Sequence, residues 1–318
     1  MPISAIIDCD PGHDDVMAIL YAARTLDLRA ITTTFGNASL SSTTKNACQT
    51  VEFAGLSRIP ISAGSARPLV RLTRDGTYVH GATGLDGPSL PEPHVHPHPD
   101  HAVDLLLTMS RQVSDLYLLP IGPLTNIACA LLKDTTLQQR IKGISLMGGS
   151  LTFGNIMPFA EFNIYCDPEA AHVVFTSGIP IKMVGVNVTH QVLALPKYRA
   201  AIRSMGTVTS THVADMLDFY SEHETLLTGL AGGSMHDPLA VAALVAPDVL
   251  SFEPMHVAIE LAGSLTAGMT VCDGRHLGSD SRSLKPRIRG ESPNAEVAVA
   301  VDAPRFWELF LDSLSTYP

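Results

Sequence analysis

Charged side chains are scarce in this sequence. They make up 16% of its 318 residues, against roughly 25% in an average soluble domain. Acidic residues outnumber basic ones 31 to 21, which gives a formal net charge of −10. Because this overall charge repels a polyanion, nucleic acid is not an expected partner. The hydrophobic share of 46% excludes a disordered chain, which has too little apolar surface to bury.

A long apolar run and a basic leader are also missing. The uncharged stretch of residues 116–132 is interrupted by Pro120, Gly122 and Pro123, whereas a membrane span needs about 20 mainly apolar residues. The N-terminus reaches Asp8 with no basic residue before its short apolar run, unlike a secretory signal. We therefore expect no membrane partner and a cytoplasmic location.

Paired cysteine motifs are absent as well. The five cysteines are scattered, odd in number and without a CxxC pair, a pattern that indicates neither a disulfide framework nor a zinc site. We expect reduced, buried thiols that contribute only to packing. They are Cys9, Cys48, Cys129, Cys166 and Cys272.

What the sequence does contain is a regular alternation of apolar runs and helical patterns. The predicted strands are Ala5–Asp8, Leu28–Phe35, Leu116–Ile121, Ile144–Met147 and Ile181–Val188. The predicted helices are Asp14–Thr25, Ser41–Ala54, Leu124–Lys133 and Pro168–Ser177. Uniformly apolar strands separated by helices are typical of a parallel sheet that is buried on both faces. We predict an α/β fold with a doubly wound, mostly parallel central sheet flanked by helices, in a single domain over 1–318.

Two segments depart from this alternation. Residues 64–101 are rich in glycine, proline and histidine and are too long for a simple connection. Residues 205–237 are predicted to form two helices that end in a glycine-rich turn. We expect both segments to form lids or walls around a site.

Polar residues follow the predicted strands, at the edge where open parallel sheets bind ligands. Acids, amides and glycines meet there. They are Asp8, Asp10, Gly36, Asn37, Gly122, Gly148, Gly149 and Asn187.

The strongest chemical feature is a group of four carboxylates, Asp8, Asp10, Asp14 and Asp15. Carboxylates this close repel one another unless they bind a cation or take up protons. A hard, oxygen-seeking metal such as calcium or magnesium is the natural partner. A structural role for Asp14 and Asp15 at the positive end of the following helix would explain only part of the group.

Two alternatives stay open at this point. An Asp-x-Asp pair after a first strand also begins the aspartyl-phosphate phosphatases, in which Asp8 would be the nucleophile. Those enzymes usually continue with Gly-Thr, whereas this chain continues with PGHDD. The second alternative is a non-catalytic binding protein.

The segment DCDPGHDD at residues 8–15 closely resembles the DTDPGxDD signature of the nucleoside hydrolases, and the resemblance continues in order along nearly the whole chain. The further motifs are TTTFGN (32–37), VHGATGLDG (79–87), IGPLTNIA (121–128), MGG (147–149), AEFNIYCDPEAA (160–171), VTH (188–190), MHDP (235–238) and GMTVCD (268–273). The resemblance implies cleavage of the N-glycosidic bond of ribonucleosides to ribose and free base. It also implies one Ca²⁺ per subunit and a homodimer or homotetramer. A non-catalytic nucleoside or sugar binder that retains this fold stays the alternative to the enzyme.

The resemblance assigns roles to individual residues. The implied calcium ligands are Asp10, Asp15, the backbone carbonyl of Ile121 and Asp237. Asp10 would also be the general base that takes the proton of the attacking water.

The remaining assignments concern the substrate. Asp14 and Asn37 would bind the lower ribose hydroxyls, with Asp237 beside them. Asn155, Glu161 and Asn163 would bind the 5′- and 3′-hydroxyls. The histidines His80 and His236 would face the base, with His236 assisting its departure, since histidine can transfer protons near neutral pH.

The sequence indicates the substrate preference less clearly than the site residues. The segments 80–93 and 160–180 look most like the pyrimidine-preferring bacterial branch, which cleaves cytidine and uridine in salvage; a purine or broad preference is the alternative. Departures from the family pattern are Asn187, where an aspartate is usual, an altered segment 220–230, and a longer, more basic segment from Arg275 to Gly290. The role of His223 is open.

The proline-interleaved histidines of residues 94–101 are predicted to form an exposed loop, because this alternation resists compact metal geometry. They are His94, His96, His98 and His101.

Overall fold

The computed structural model describes residues 2–275 and 291–318. Nine strands in this part of the chain form one sheet. They are β1 (Ser4–Cys9), β2 (Asp27–Thr33), β3 (Ile61–Ala63), β4 (Leu116–Pro120), β5 (Ile141–Met147), β6 (Ile181–Val184), β7 (Leu250–Ile259), β8 (Thr270–Asp273) and β9 (Ala295–Val301). The helices of the same residues are α1 (His13–Thr25), α2 (Leu40–Phe53), α3 (Thr77–His80), α4 (Ala102–Gln112), α5 (Thr125–Lys133), α6 (Phe162–Cys166), α7 (Pro168–Phe175), α8 (Val186–Thr189), α9 (Pro196–Ser204), α10 (Val208–Thr228), α11 (Pro238–Val245) and α12 (Ala303–Leu314).

The strand order is β3-β2-β1-β4-β5-β6-β9-β7-β8. Pairing is parallel from β3 to β9, whereas β7 runs antiparallel to both β9 and β8. The predicted α/β fold with a mostly parallel sheet is therefore confirmed. The chain adds β2 and β3 on one side of β1 and then β4 to β6 on the other, so the order reverses between β1 and β4. A crevice for ligands forms at this reversal, beyond the carboxyl ends of the strands.

The sheet is buried on both faces because its apolar side chains alternate between two hydrophobic clusters. In β1, Ile7 packs into a cluster with α1 and α10, and Ile6 packs into a second cluster with α4 and α5. Successive side chains of a strand point to opposite faces, so continuous apolar strands such as β1 fill both clusters. This double burial fixes the carboxyl end of β1 in the middle of the sheet.

The predicted strand Ile181–Val188 is wrong in its second half. The strand ends at Val184, and residues Val186–Thr189 form the short helix α8. The β-branched residues there favour a strand locally, but tertiary hydrogen bonds outweigh that preference. Asn187 Oδ1 accepts from the backbone N–H of Leu151 at 3.1 Å, and its Nδ2 donates to the carbonyl of Ala298 at 2.9 Å.

The two helices predicted within residues 205–237 are also wrong. One continuous helix, α10, spans 21 residues from Val208 to Thr228. Thr207 caps its start by accepting from the backbone N–H of Ser210 at 3.1 Å. The sequence contains no proline or glycine between positions 208 and 228, so nothing interrupts the helix. The result is a long wall over the carboxyl edge of the sheet.

Four strands were not predicted: β3, β7, β8 and β9. In β7, which is half-exposed, buried and exposed positions do not alternate strictly, so the usual sequence signal of a strand is weak. Strands β9, β7 and β8 extend the sheet beyond β6, with β9 parallel to β6 and β7 antiparallel to both of its neighbours. Of the predicted departure between Arg275 and Gly290, residues 276–290 lie outside the described residues.

The histidine-rich loop is exposed, as predicted, at His94, His96, His98 and His101. All five cysteines are unpaired. The prediction that they are buried holds for Cys9, Cys48 and Cys166, whereas Cys129 and Cys272 are partly exposed.

Among the helices of residues 2–275 and 291–318, none combines the length and apolar character that a bilayer span requires.

Candidate active site

The turn between β1 and α1 brings two of the predicted carboxylates together. Gly12 is the N-cap of α1, and Asp15 lies in the first helical turn. Asp15 folds back toward the strand: its Oδ1 accepts from the backbone N–H of Asp10 at 3.1 Å, and its Oδ2 accepts from that of Gly12 at 2.9 Å. A carboxylate at this position also complements the positive end of the helix. The turn therefore fixes Asp15 beside Asp10.

Asp10 occupies a tight position between the turns that follow β2 and β4. Its Oδ2 accepts from the backbone N–H of Asn37 at 2.6 Å. A Cβ atom on Gly36 would lie 2.0 Å from this Oδ2, and one on Gly122 would lie 2.4 Å from Oδ1, so both turns need glycine. Asp10 Oδ1 is buried and has no hydrogen-bond partner among the described residues. A buried oxygen without a partner is uncommon and indicates a bound water or ion.

Burial perturbs every carboxyl group of the cluster. It raises the pKa of Asp14 to about 6, and burial together with the neighbouring Asp14 raises the pKa of Asp15 to about 7. The pKa values of Asp10 and Asp237 lie well above the usual range, again through burial first and neighbouring carboxylates second. Without a cation these groups bind protons at a higher pH than ordinary carboxylates do, and a cation would favour their charged forms.

The donor set fits a hard metal ion. Asp14, Asp15 and Asp237 each offer a carboxylate oxygen, and these oxygens lie within 4.8 Å of one another. The carbonyl of Ile121 accepts from Asn163 Nδ2 at 2.7 Å and keeps a second lone pair. All of these donors are oxygens, as hard cations prefer. Asp14, which was predicted only as a ribose contact, is thus part of the acidic group as well.

A cavity of about 260 Å³ adjoins this acidic group. Asp10 and Asp15 lie beneath its surface and are fully buried. Nine of the predicted site residues line it: Asp14, Asn37, His80, Ile121, Asn155, Glu161, Asn163, His236 and Asp237.

One part of the lining, which we call the acid–amide wall, consists of Asp14, Asn37, Asn155, Glu161, Asn163 and Asp237. Glu161 caps α6, because its Oε1 accepts from Asn163 N–H at 2.8 Å and its Oε2 accepts from Gly149 N–H at 2.8 Å. Asn155 Oδ1 accepts from the backbone N–H of Phe162 at 2.9 Å. The side chains of Glu161 and Asn155 are therefore oriented by the backbone before any ligand binds.

The other part of the lining, the histidine wall, consists of His80, His190, Tyr220, Glu224 and His236. The rings of His80, His13 and Tyr220 pack against one another, and the centroid of His80 lies 5.3 Å from that of His13 and 5.4 Å from that of Tyr220. Its Nδ1 lies 3.0 Å from His13 Nδ1. Burial lowers the pKa of His80 well below its usual value, so this ring is uncharged at neutral pH.

His236 has a different environment. Its Nδ1 lies 2.6 Å from Thr189 Oγ1, and its Nε2 lies 3.8 Å from Glu224 Oε1. Burial would lower the pKa of His236, but the Glu224 carboxylate opposes this and the net shift is upward. His190, Glu224 and His236 also offer ligand atoms within 4.8 Å of one another. The two histidines predicted to face the base thus differ in their surroundings.

Comparison with known proteins identifies the family of this chain. The model of the family "Inosine-uridine preferring nucleoside hydrolase" matches residues 5–308. The chain belongs to this family. Nucleoside hydrolases are metal-dependent N-glycosyl hydrolases, and the oxygen cluster beside the cavity is a possible site for the metal.

Relatives cover the whole length of this nucleoside hydrolase. It is 41% identical to the inosine-uridine preferring nucleoside hydrolase of Leishmania major, over 99% of this chain and 98% of the relative. It is 38% identical to the pyrimidine-specific ribonucleoside hydrolase RihA of Escherichia coli, over 100% of both chains. The solved structure of a purine-preferring ribonucleoside hydrolase from Gardnerella vaginalis superposes with a TM-score of 0.89 at 31% identity, over 98% of both chains.

Asp8 does not lie at the cavity of the nucleoside hydrolase. It is fully buried, and its Oδ1 accepts from Thr32 Oγ1 at 2.5 Å and from Asn126 Nδ2 at 2.8 Å. A nucleophile must reach its substrate, so this geometry disfavours the phosphatase alternative. Asp8 instead links β1 to β2 and α5 behind the acidic cluster.

The sequence interpretation missed Glu224 and Thr189. On α10 the cavity-lining residues Tyr220, Glu224 and Thr228 recur every four positions, the spacing of one helix face. That spacing was a usable signal, but the predicted break into two helices concealed it. His223 points elsewhere: its ring stacks on Phe219 at 3.9 Å, and its Nδ1 lies 3.0 Å from the Phe219 carbonyl.

Proposed function

We propose that this nucleoside hydrolase cleaves ribonucleosides into ribose and free base, with cytidine and uridine as preferred substrates. The observation that carries the proposal is one cavity that joins the acid–amide wall to the histidine wall. Carboxylates stabilise the positive charge that develops on the sugar as the glycosidic bond breaks. Histidines can assist the base as it leaves.

We propose calcium as the metal, held by Asp10, Asp15, the backbone carbonyl of Ile121 and Asp237. A mixture of carboxylates and a backbone carbonyl is typical of calcium sites. When bound, such an ion lowers the pKa of the attacking water and binds ribose hydroxyls.

The protein residues would move the protons. Asp10 Oδ1, which has no partner within the described residues, takes a proton from the attacking water while the water oxygen bonds to the anomeric carbon. The electron pair of the carbon–nitrogen bond leaves with the base. His236 Nε2–H donates a hydrogen bond to the base as it leaves. The base then takes up a proton from solvent and becomes neutral, while Asp10 returns its proton to solvent.

The acid–amide wall would select ribose. Asp14 and Asn37, with Asp237, bind the lower hydroxyls, and Asn155, Glu161 and Asn163 bind the 5′- and 3′-hydroxyls. Loss of one hydroxyl leaves buried polar groups without partners, which a polar site rejects strongly. We therefore expect kcat/KM for cytidine to exceed that for 2′-deoxycytidine by roughly 10³-fold or more. Comparable values would contradict the ribose assignment.

The proposed preference for pyrimidine bases is supported by similarity to known enzymes. Full-length identity of 38% to a pyrimidine-specific enzyme supports cytidine and uridine. A purine or broad preference is the second candidate, because the Leishmania relative prefers inosine and uridine and the Gardnerella enzyme prefers purines. Values of kcat/KM for cytidine, uridine, inosine and adenosine distinguish the two; a higher value for either purine nucleoside would contradict the pyrimidine preference.

The acidic cavity also favours neutral nucleosides over nucleotides, whose phosphate would meet the same carboxylates. Other expectations stay predictions: a homodimer or homotetramer, a single domain over 1–318, a cytoplasmic location and a role in nucleoside salvage.

A further inference from the structure

Glu224 is a buried carboxylate that no sequence motif singled out. It lies on α10 with 5% of its surface exposed. Two donors of one residue fix it: Ser234 N–H donates to Oε2 at 2.5 Å, and Ser234 Oγ donates to Oε1 at 2.7 Å. The carboxylate therefore has a defined orientation, with Oε1 directed toward His236 Nε2 at 3.8 Å.

This orientation determines which nitrogen of His236 carries hydrogen. A carboxylate only accepts hydrogen bonds, so the nitrogen that faces it, Nε2, is the protonated one. In the neutral ring Nδ1 is then an acceptor, and the Thr189 hydroxyl at 2.6 Å donates to it. A partner on each ring nitrogen selects one tautomer.

The distance leaves Nε2–H available for a ligand. At 3.8 Å the contact with Glu224 is too long for a hydrogen bond, although the charge still orients the N–H. His236 and Glu224 both line the cavity, so the N–H lies between the carboxylate and the space that a base would fill.

We propose that Glu224 and Thr189 are positioning residues that hold His236 in the Nε2–H tautomer, as a hydrogen-bond donor to the departing base. The inference rests on the proposed hydrolysis of nucleosides. Both residues act through His236 and need no contact with the substrate.

The decisive variant is Glu224→Gln. A glutamine can turn its oxygen toward Ser234 N–H, while its NH₂ group donates to Ser234 Oγ and opposes the Nε2–H of His236. Packing is thus preserved and the tautomer preference is lost. Glu222→Gln is the matched control, because Glu222 is exposed on the same helix. Thr189→Val removes the second partner at nearly constant volume, and Thr189→Ser restores it.

The kinetic test compares two leaving groups. We expect Glu224→Gln and Thr189→Val to lower kcat for cytidine or uridine by about 10²-fold, the usual contribution of a positioned acid. For 4-nitrophenyl β-D-riboside, whose leaving group needs no donor, kcat should change by less than about threefold. Thr189→Ser should recover most of the loss, and Glu222→Gln should match the wild type. An equal loss on both substrates would show a structural role and overturn the inference.

A spectroscopic test is independent of activity. Two-bond ¹H–¹⁵N correlation spectra of the neutral His236 ring should show hydrogen on Nε2 in the wild type and in Glu222→Gln, and a shift toward Nδ1–H in Glu224→Gln. An Nδ1–H tautomer in the wild type would overturn the inference even if nucleosides are cleaved. If the expected tautomers are found but the wild type releases no ribose, the positioning is supported and the proposed function is what fails.

Discussion

The two walls of the cavity are built in different ways. In the acid–amide wall, Glu161 and Asn155 accept hydrogen bonds from backbone N–H groups, next to turns that follow the strands. In the histidine wall, His80 contacts the ring of His13 and His236 contacts Thr189 and Glu224. Backbone contacts tie Glu161 and Asn155 to the fold itself, whereas side-chain contacts leave the histidine wall free to change with a few substitutions. A change in the first wall should affect every nucleoside alike, and one in the second should alter the ranking of bases.

The largest effect is expected from Asp10→Asn, beneath the acid–amide wall. The variant keeps an oxygen for the backbone N–H of Asn37 but removes the proposed proton acceptor. We expect kcat to fall by at least about 10³-fold for all nucleosides, within the range for general base catalysis. Ribose release measures the loss of activity, and the thermal midpoint checks that the variant is folded. Loss of activity for only one base would contradict the comparison between the two walls.

Gly36→Ala tests the tight packing around Asp10. A Cβ atom there would lie 2.0 Å from Asp10 Oδ2, so the carboxylate must move. A displacement of 1 Å at a reacting group costs about 10²-fold in rate, and we expect that loss in kcat. Gly206→Ala is the control: nothing lies within 4 Å of the added atom, and φ is 71°. It should lower the unfolding temperature through backbone strain but leave kcat unchanged. Equal kcat losses in both variants would contradict the account.

Metal binding should alter the pH dependence of stability. The folded-state pKa of Asp15 is raised from 3.8 to about 7 and that of Asp14 to about 6. The metal-free folded state therefore binds more protons than the unfolded state within this window, and its stability falls as pH rises through it. Calcium at about 100 times its Kd adds roughly 2.7 kcal/mol, or about 4 °C in Tm for a chain of 318 residues.

Thermal scans with EGTA and with Ca²⁺ across this pH window test the metal prediction. The increase in Tm should grow with pH, because metal binding competes with protons. An increase that is independent of pH would mean that these carboxylates do not bind the ion.

The smallest effect is expected from His223→Ala. The ring stacks on Phe219 rather than lining the cavity, so kcat and the ranking of bases should change by less than about twofold. A change in the preferred base would place His223 in the histidine wall and contradict the structure.

The sequence predicted the acid–amide wall more fully than the histidine wall for a physical reason. Asn37 of this wall, like the neighbouring Asp10 and Ile121, follows a strand whose apolar run is easy to recognise, so their convergence at one sheet edge follows from the fold class. Glu224 depends on the continuity of α10 and on a contact with Ser234, ten positions away. No local pattern encodes that contact. Likewise, the β-branched residues of α8 predict a strand. The hydrogen bonds of Asn187 that favour the helix instead join distant parts of the chain, so no local sequence pattern indicates them.

Release of ribose from a panel of nucleosides tests the central claim most directly. The purified protein is incubated with cytidine, uridine, inosine and adenosine, with and without a chelator, and reducing sugar is measured. We predict ribose from cytidine and uridine above all, loss of this activity with the chelator, and its return when Ca²⁺ is restored. Absence of ribose from all four nucleosides in the presence of Ca²⁺ would contradict the account.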